Sequence, residues 1–527
     1  MNLRTLYAAL AVSTAVVVSP LSLAATAHAG GTIYGGFDVG AGGFQGNFNP
    51  LAATAGFTWL VTYFEPLVIY DSALQNIIGD LAESFTISPD QSTYRFKLAN
   101  AKWHDGVPFT ARDVKFTFDL AKDGRTGSIF SSGLKNIDSI ETPDDHTVVI
   151  KLKTPTPALL DTLTKLMMLP QHALASIPLD KLSKNPWWST HPIGTGPFKF
   201  SKYVTDQYVE LVANPDYRGG KPKADKLINR YFADSAGAIA ALRSGEIQFS
   251  YVDSNDLPTF EHDKAFRLIK GDSFVANFVG FNQDIPLWKD LRIRQAFMYA
   301  INRDAIIQSL YGGGAKKADC VYVADHLVPK DINKYPYDPE KAKQLLTEAG
   351  WDKINGNKPI TILTYYDSPL IHNVLAAMQA MLAQVDVHIV PRVVDAPTYN
   401  SIVNKKDSNS ADFPLTFAGR QNGPDPSSVD GALNEKAIPP MGANFTRVRM
   451  PALNEALDKA LAETDMKKRT ALYQNVCRVT NAQLPWATMW VANRYGVVST
   501  KLKNFVWQPA PGGGPYQAYP EKWSISD

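Results

Sequence analysis

Residues 193–217 constrain this chain more than any other stretch. They read Ile-Gly-Thr-Gly-Pro-Phe-Lys-Phe-Ser-Lys-Tyr, continue through a second extended run, and close on Asn214-Pro215-Asp216-Tyr217. Gly194 and Gly196 admit backbone angles that a Cβ would forbid, and Pro197 fixes φ at a strand entry. Phe198, Phe200 and Tyr203 alternate roughly with polar residues, and Tyr208, Glu210 and Val212 repeat the spacing. Asn-Pro-Asp is strong turn chemistry. The stretch therefore predicts a β-hairpin held between two turns.

The N-terminus predicts export. Arg4 precedes an apolar run over residues 6–23, broken by Pro20, and Ala27-His28-Ala29 forms a small-x-small cleavage site. No cysteine follows the run, so a mature chain beginning near Gly30, without a lipid anchor, is expected in the periplasm. No second apolar stretch is long enough to span a bilayer. With 53 basic and 51 acidic side chains, nothing in the charge balance points to nucleic acid or an anionic membrane. The 527 residues are enough for two or three domains. Export places Cys320 and Cys477 in an oxidising compartment, where they pair or where Cys477 lies as a buried free thiol on a helix.

Strands and helices alternate irregularly along the chain. Strands are predicted at 32–39, at 81–98 around Ser88-Pro89-Asp90, and in a hairpin at 138–153. Helices are predicted at 57–70, at 110–121 with Thr110 as N-cap, at 236–244 ending on Gly245, and as one piece at 291–310. A βαβ passage covers 360–394, a helix capped by Asp338 precedes it, and 450–482 is mostly helical.

Five segments resemble, in order, one family: the peptide-type, family 5 extracytoplasmic solute-binding proteins of ABC importers. These are Leu81-Ala-Glu-Ser-Phe with Tyr94-Arg-Phe-Lys-Leu; Lys102-Trp-His-Asp-Gly-Val-Pro-Phe-Thr-Ala-Arg-Asp-Val; the 193–217 stretch; Phe281-Asn282 with Asp290-Leu-Arg-Ile-Arg-Gln-Ala; and Tyr337-Asp-Pro-Glu-Lys-Ala through Gly350-Trp351. The resemblance implies an α/β, two-lobed periplasmic binding protein fold of type II, in the large cluster C form with an extra third domain. It implies lobe I from residues 30–75, 195–283 and 492–527, the extra domain from 76–194, and lobe II from 284–491. Hinge closure would trap a small molecule for delivery to membrane permease subunits, by a monomer that is no enzyme and needs no cofactor.

The residues themselves show no catalytic or metal signature. The nine histidines lack metal-ligand spacing, and His104-Asp105-Gly106 reads as a turn. No nucleophile elbow, phosphate loop or dinucleotide fingerprint appears. A secreted carbohydrate hydrolase remains the rival from another class, because paired carboxylates can lie far apart in sequence. The resemblance implies that peptide-binding members carry, in the matching stretch, an aspartate for the peptide ammonium a few residues before an Asp/Glu-Pro. Counting back from Asp425-Pro426 puts Asn422 there, preceded by Gln421, Arg420 and Gly419. A neutral amide supplies no ion pair, whereas Arg420 offers a planar fork to a carboxylate or to sugar hydroxyls. The expected ligand is therefore polar and non-peptide: a sugar, an oligosaccharide or an opine-like conjugate, with an oligopeptide or dipeptide as the alternative. The resemblance places Phe44, Trp59, Tyr365, Tyr366 and Phe417 near the cleft as stacking faces, with Asn47, Asn282 and Asn444 as lesser polar candidates.

Overall fold

A computed structural model describes residues 30–38, 48–52, 60, 62–71, 74, 76–271, 273–356, 358–406, 413–509 and 515–526. The expected export segment and the candidates Phe44, Asn47 and Trp59 lie outside them.

Three sheets organise the chain. The first has seven strands in the order Phe266–Gly271, Arg494–Ser499, Phe249–Val252, Thr32–Asp38, Lys226–Phe232, Tyr208–Ala213 and Phe198–Val204. It thus draws on three separate stretches of sequence. The second is antiparallel, with four strands in the order Ala82–Ile87, Thr93–Leu98, Thr147–Leu152 and Ile137–Asp144. Tyr94, Phe96 and Leu98 alternate into its core beneath Val114 and Phe118 of helix Ala111–Lys122. The third has six strands: Ala315–Lys317, Trp486–Ala492, Val275–Phe281, Leu415–Gln421, Ile360–Thr364 and Ile389–Val393.

The six-stranded sheet is covered on both faces. Ile362 and Phe417 pack into one apolar cluster with helices Leu291–Ala300, Pro339–Ala349 and Pro369–Ala383. Their neighbours Leu363 and Ala418 pack into another with helices Ala396–Val403, Pro451–Ala462 and Met466–Gln483. Successive side chains point to opposite faces, so a strand buried on both sides must be apolar throughout. Ile360–Thr364 and Ile389–Val393 pair in parallel around Pro369–Ala383, forming the predicted βαβ unit. Cys320 and Cys477 are joined, tying the segment after Ala315–Lys317 to the long helix across 157 residues of sequence, with Cα atoms 5.5 Å apart.

Several expectations change. Of the helix predicted at 57–70, the described end is a strand: Val68–Tyr70 pairs with Ile77–Gly79. The single helix at 291–310 is two, because Asn302 leaves the helical path and accepts the Ala305 N–H as a new N-cap at 2.9 Å. Gly194 and Gly196 are not at positive φ; close approach requires them. A Cβ on Gly194 would stand 1.7 Å from the Tyr63 carbonyl oxygen, and one on Gly196 2.8 Å from that of Thr62. The rest of the stretch is clipped in place. Asn214 Nδ2 donates to Gly196 O at 3.1 Å. The Gly194 N–H donates to His104 Nδ1 at 3.2 Å, which leaves Nε2 to donate to Gly196 O at 3.0 Å. Burial pushes the His104 imidazole down to about 4, so the His-Asp-Gly turn is a neutral structural clip. Among the described residues no helix is long and apolar enough to cross a membrane.

Candidate functional site

The chain passes between the seven-stranded and six-stranded sheets at two neighbouring places, from Phe266–Gly271 into Val275–Phe281 and from Trp486–Ala492 into Arg494–Ser499. Strand Leu415–Gln421 runs antiparallel to Val275–Phe281, and its last residues, Arg420 and Gln421, pair with Ala276 and Val275 beside the first crossing. Ile360–Thr364 runs parallel to Leu415–Gln421, so Tyr365 and Tyr366 leave the same edge of the sheet. Crevices outside the carboxyl ends of such strands are where α/β folds bind ligands.

The two tyrosines form part of one wall. Their rings lie 4.4 Å apart, Tyr365 meets Tyr399 at 4.9 Å, and Tyr366 meets Phe417 at 6.2 Å. Gly419 makes room for Tyr366: a Cβ there would lie 2.2 Å from the Tyr366 hydroxyl. Phe417 itself is fully buried and also packs on Trp490. Asn444 is fully buried too, its amide donating to the Asn434 and Val448 carbonyls and accepting the Val448 N–H. Asn282 is likewise buried, with its amide on the Phe413 carbonyl.

The loop after the strand is tightly ordered. Asn422 is 2% exposed, donates its N–H to Phe274 O at 2.6 Å and its amide to Arg420 O at 3.2 Å. Gln421 is exposed. Arg420 is tucked under the loop: Nη2 donates to the Ser428 carbonyl at 2.7 Å, while its buried Nε has no partner. Burial lowers the guanidinium to about 10, and Asp430 opposes that shift. Asp425 caps the turn that follows and binds Arg469 through two bonds of 2.8 and 2.9 Å. Arg469 stacks over Tyr473 at 4.9 Å, and the Tyr473 hydroxyl donates to Asp430 Oδ2 at 2.9 Å. Burial pushes the Asp430 carboxyl well up; Tyr473 and the arginines oppose it, and Asp425 adds to it.

The first part of the chain faces this loop. Tyr70 donates to Asp161 Oδ1 at 2.9 Å and Lys165 donates to Asp161 Oδ2 at 2.8 Å. Burial raises Asp161, Lys165 lowers it, and Asp425 across the boundary raises it again. Gln91 Nε2 donates to the Thr464 carbonyl at 3.0 Å, joining the tip of the four-stranded sheet to the turn before the long helix.

Structure thus brings Arg420, Gln421, Asn422, Tyr365 and Tyr366 to one sheet edge, and turns Phe417 and Asn444 into the interior. Asp430, Arg469, Tyr473 and Tyr322 were not singled out from sequence. The helical i,i+4 spacing of Arg469 and Tyr473 was the available signal; Tyr322 had none, being more than a hundred residues from Asp430, Arg469 and Tyr473. Among the described residues, no group of three or more His, Cys, Asp or Glu side chains is arranged to hold a metal.

A family model described as bacterial extracellular solute-binding proteins, family 5 middle, matches residues 76–435. A protein of Brucella melitensis, named as a candidate ABC transporter peptide-binding protein, is 73% identical over 525 residues covering 100% of both chains. The oligopeptide-binding protein AppA of Bacillus subtilis, solved with a nonapeptide, superposes with a TM-score of 0.83 at 25% identity, covering 94% of this chain and 99% of that one. AgaA of A. tumefaciens R10, solved with agropinic acid, superposes with a TM-score of 0.77 at 25% identity over 94% and 99%. The two-lobed binding-protein fold and the family match agree, and the chain belongs to family 5 of the bacterial extracellular solute-binding proteins, the ligand receptors of ABC transporters.

Proposed function

We propose that this protein captures short peptides outside the cytoplasm and hands them to the permease of an ABC importer. The observation that carries the reading is the full-length identity of 73% to relatives named for peptide binding; it outweighs the sugar or opine ligand expected from the sequence. We assign lobe I to residues 30–75, 195–271 and 493–527, the extra domain to 76–194 and lobe II to 275–492; the pairing of Val275–Phe281 inside the six-stranded sheet supports moving that strand out of lobe I, where the resemblance implied it. Arg420, Gln421, Asn422, Tyr365 and Tyr366 on lobe II face a peptide held between them. The edge position of these residues, next to both chain crossings, supports a site that forms on hinge closure, driven by contacts made only in the closed state. The mature protein, cleaved near Ala29, acts as a monomer and releases its ligand unchanged.

One observation favours a second reading. Asn422 is a neutral amide whose N–H is taken by the Phe274 carbonyl and whose side chain is taken by the Arg420 carbonyl, and Arg420 is a cation without an ion pair among the described residues. An acidic, non-peptide metabolite would suit that pair. Calorimetry of the purified protein against a pool of di- to pentapeptides, and against a panel of opines and sugars, separates the two. Peptide binding without opine or sugar binding is expected; the reverse overturns the peptide reading. Hydrolysis of any bound ligand would return the rival of a secreted hydrolase.

A further inference from the structure

Four buried polar atoms in one cluster of lobe II have no hydrogen-bond partner: the Tyr322 hydroxyl, Arg420 Nε, Arg469 Nε and Asp430 Oδ1. Interiors leave few polar atoms unpaired, and each one asks for a physical reason. Their grouping is fixed by contacts on the page. The Tyr322 ring meets Tyr473 edge-on at 5.5 Å, and the Tyr473 hydroxyl holds Asp430 through Oδ2. Arg420 is tied to Ser428, two residues before Asp430. Of the charges acting on the Tyr322 hydroxyl, Asp430 contributes most, and Asp430 is the charge that acts on Arg420.

We propose that Tyr322, Arg420 and Asp430 form a receptor for a ligand carboxylate, in which the guanidinium Nε, the phenol and the Asp430 carboxyl all donate to the same anionic group. The inference rests on the peptide-receptor reading and specifies which end of the peptide lobe II recognises. Donor chemistry decides it. A guanidinium nitrogen can only donate, and a carboxylate offers about four lone-pair sites in one plane. Asp430 could act in the opposite sense, as an ionised acceptor for an ammonium group. Its surroundings argue against that. The groups facing it are Arg420 from the strand, Asp425 from the loop, Arg469 and Tyr473 from the long helix and Tyr322 from the disulfide segment. Arg469 binds Asp425 through two bonds, with its Nε left over, Asp425 repels a second negative charge, and burial favours the protonated form of Asp430. A neutral Asp430 leaves Arg420 as the unbalanced charge, which attracts an anion and repels an ammonium.

The test compares peptides of one sequence pool, two to five residues long, with free or amidated C-termini, by calorimetry on the wild-type protein. The free acids are expected to bind on the order of 100-fold more tightly than the amides. Asp430→Asn, which still donates an N–H but cannot ionise, is expected to flatten the pH dependence of free-acid affinity. Tyr322→Phe is expected to lose about tenfold. Affinity of the wild-type protein falls with rising pH, because ionising Asp430 removes a donor and adds a like charge. Equal binding of acids and amides overturns the carboxylate receptor while leaving the peptide reading intact. Binding abolished both by Asp430→Asn and by N-acetylation of the peptides also overturns it, and assigns Asp430 to an ammonium. Failure of every peptide, acid or amide, overturns the peptide reading and the receptor with it.

Discussion

Two buried clusters in this protein have nearly the same parts. Below the four-stranded sheet, Arg218 pairs with Glu65 at 3.1 Å and with Asp80, while Tyr217 donates to Glu65 at 3.0 Å. In the loop of the six-stranded sheet, Arg469 pairs with Asp425, while Tyr473 donates to Asp430. Each has two carboxyl groups, one clamping arginine and one tyrosine. The second also has Arg420. That one residue reverses the balance. Around Arg218 negative groups outnumber positive ones, and the excess is absorbed by a proton: burial, with Asp80 beside it, pushes Glu65 up to about 8. Around Arg469, burial pushes the Asp430 carboxyl toward its neutral form, and Arg420 adds a second positive group. The first cluster knits the early chain to the 214–218 turn, with Glu65 Oε2 as its unpartnered atom. The second has a positive charge left over for a partner.

The largest expected effect comes from breaking either clamp. Arg218→Ala and Arg469→Ala each strand a buried carboxylate and are expected to cost about 3–5 kcal/mol in urea unfolding. The comparison fails if Arg218→Ala, in protein that still folds, weakens peptide binding as strongly as changes at Arg420 do. Removing the disulfide with the double change Cys320→Ser and Cys477→Ser is expected to cost about 2–4 kcal/mol. It also frees the segment carrying Tyr322 from the helix carrying Tyr473. Peptide affinity should therefore drop in this variant, and an unchanged affinity would show that Tyr322 does not need that support.

The smallest effect is a pH dependence. A carboxyl whose folded value lies above its unfolded one stabilises the fold fully only below the unfolded value. For Glu65 this contribution is lost as pH climbs from about 4.5 to about 8. Glu65→Gln is expected to flatten the fall in melting temperature across that window without changing peptide affinity. A fall as steep as in the wild-type protein would show that Glu65 does not carry the proton.

The fold was legible where local signals and tertiary demand agreed. Asp338 with Pro339, Gly245 after Ser244, and the βαβ spacing all sit where turn and capping chemistry put them. The helix expected at 57–70 includes Leu60, which is helical, but its far end failed because an apolar run has no period of its own when both faces are buried; Val68–Tyr70 became a strand by pairing with Ile77–Gly79. Gly194 and Gly196 were recognised for the wrong reason. Their constraint is the Tyr63 and Thr62 backbone, about 130 residues away in sequence, and no local rule reports such an approach. At the site, Arg420 and Asn422 were legible from their distance to Asp425-Pro426. The ring of Tyr322, Asp430, Arg469 and Tyr473 was not, because it is assembled from three segments that meet only after the sheet, the long helix and the disulfide are in place.

The central claim is that the protein holds an intact peptide between its lobes. Purifying it from the exported fraction under native conditions, denaturing it and identifying the released small molecules by mass spectrometry tests this directly. The account predicts short peptides with free carboxyl termini, recovered uncleaved and close to one per protein chain. Recovery of a sugar, an opine or a metal complex in that proportion, with no peptide, would contradict it.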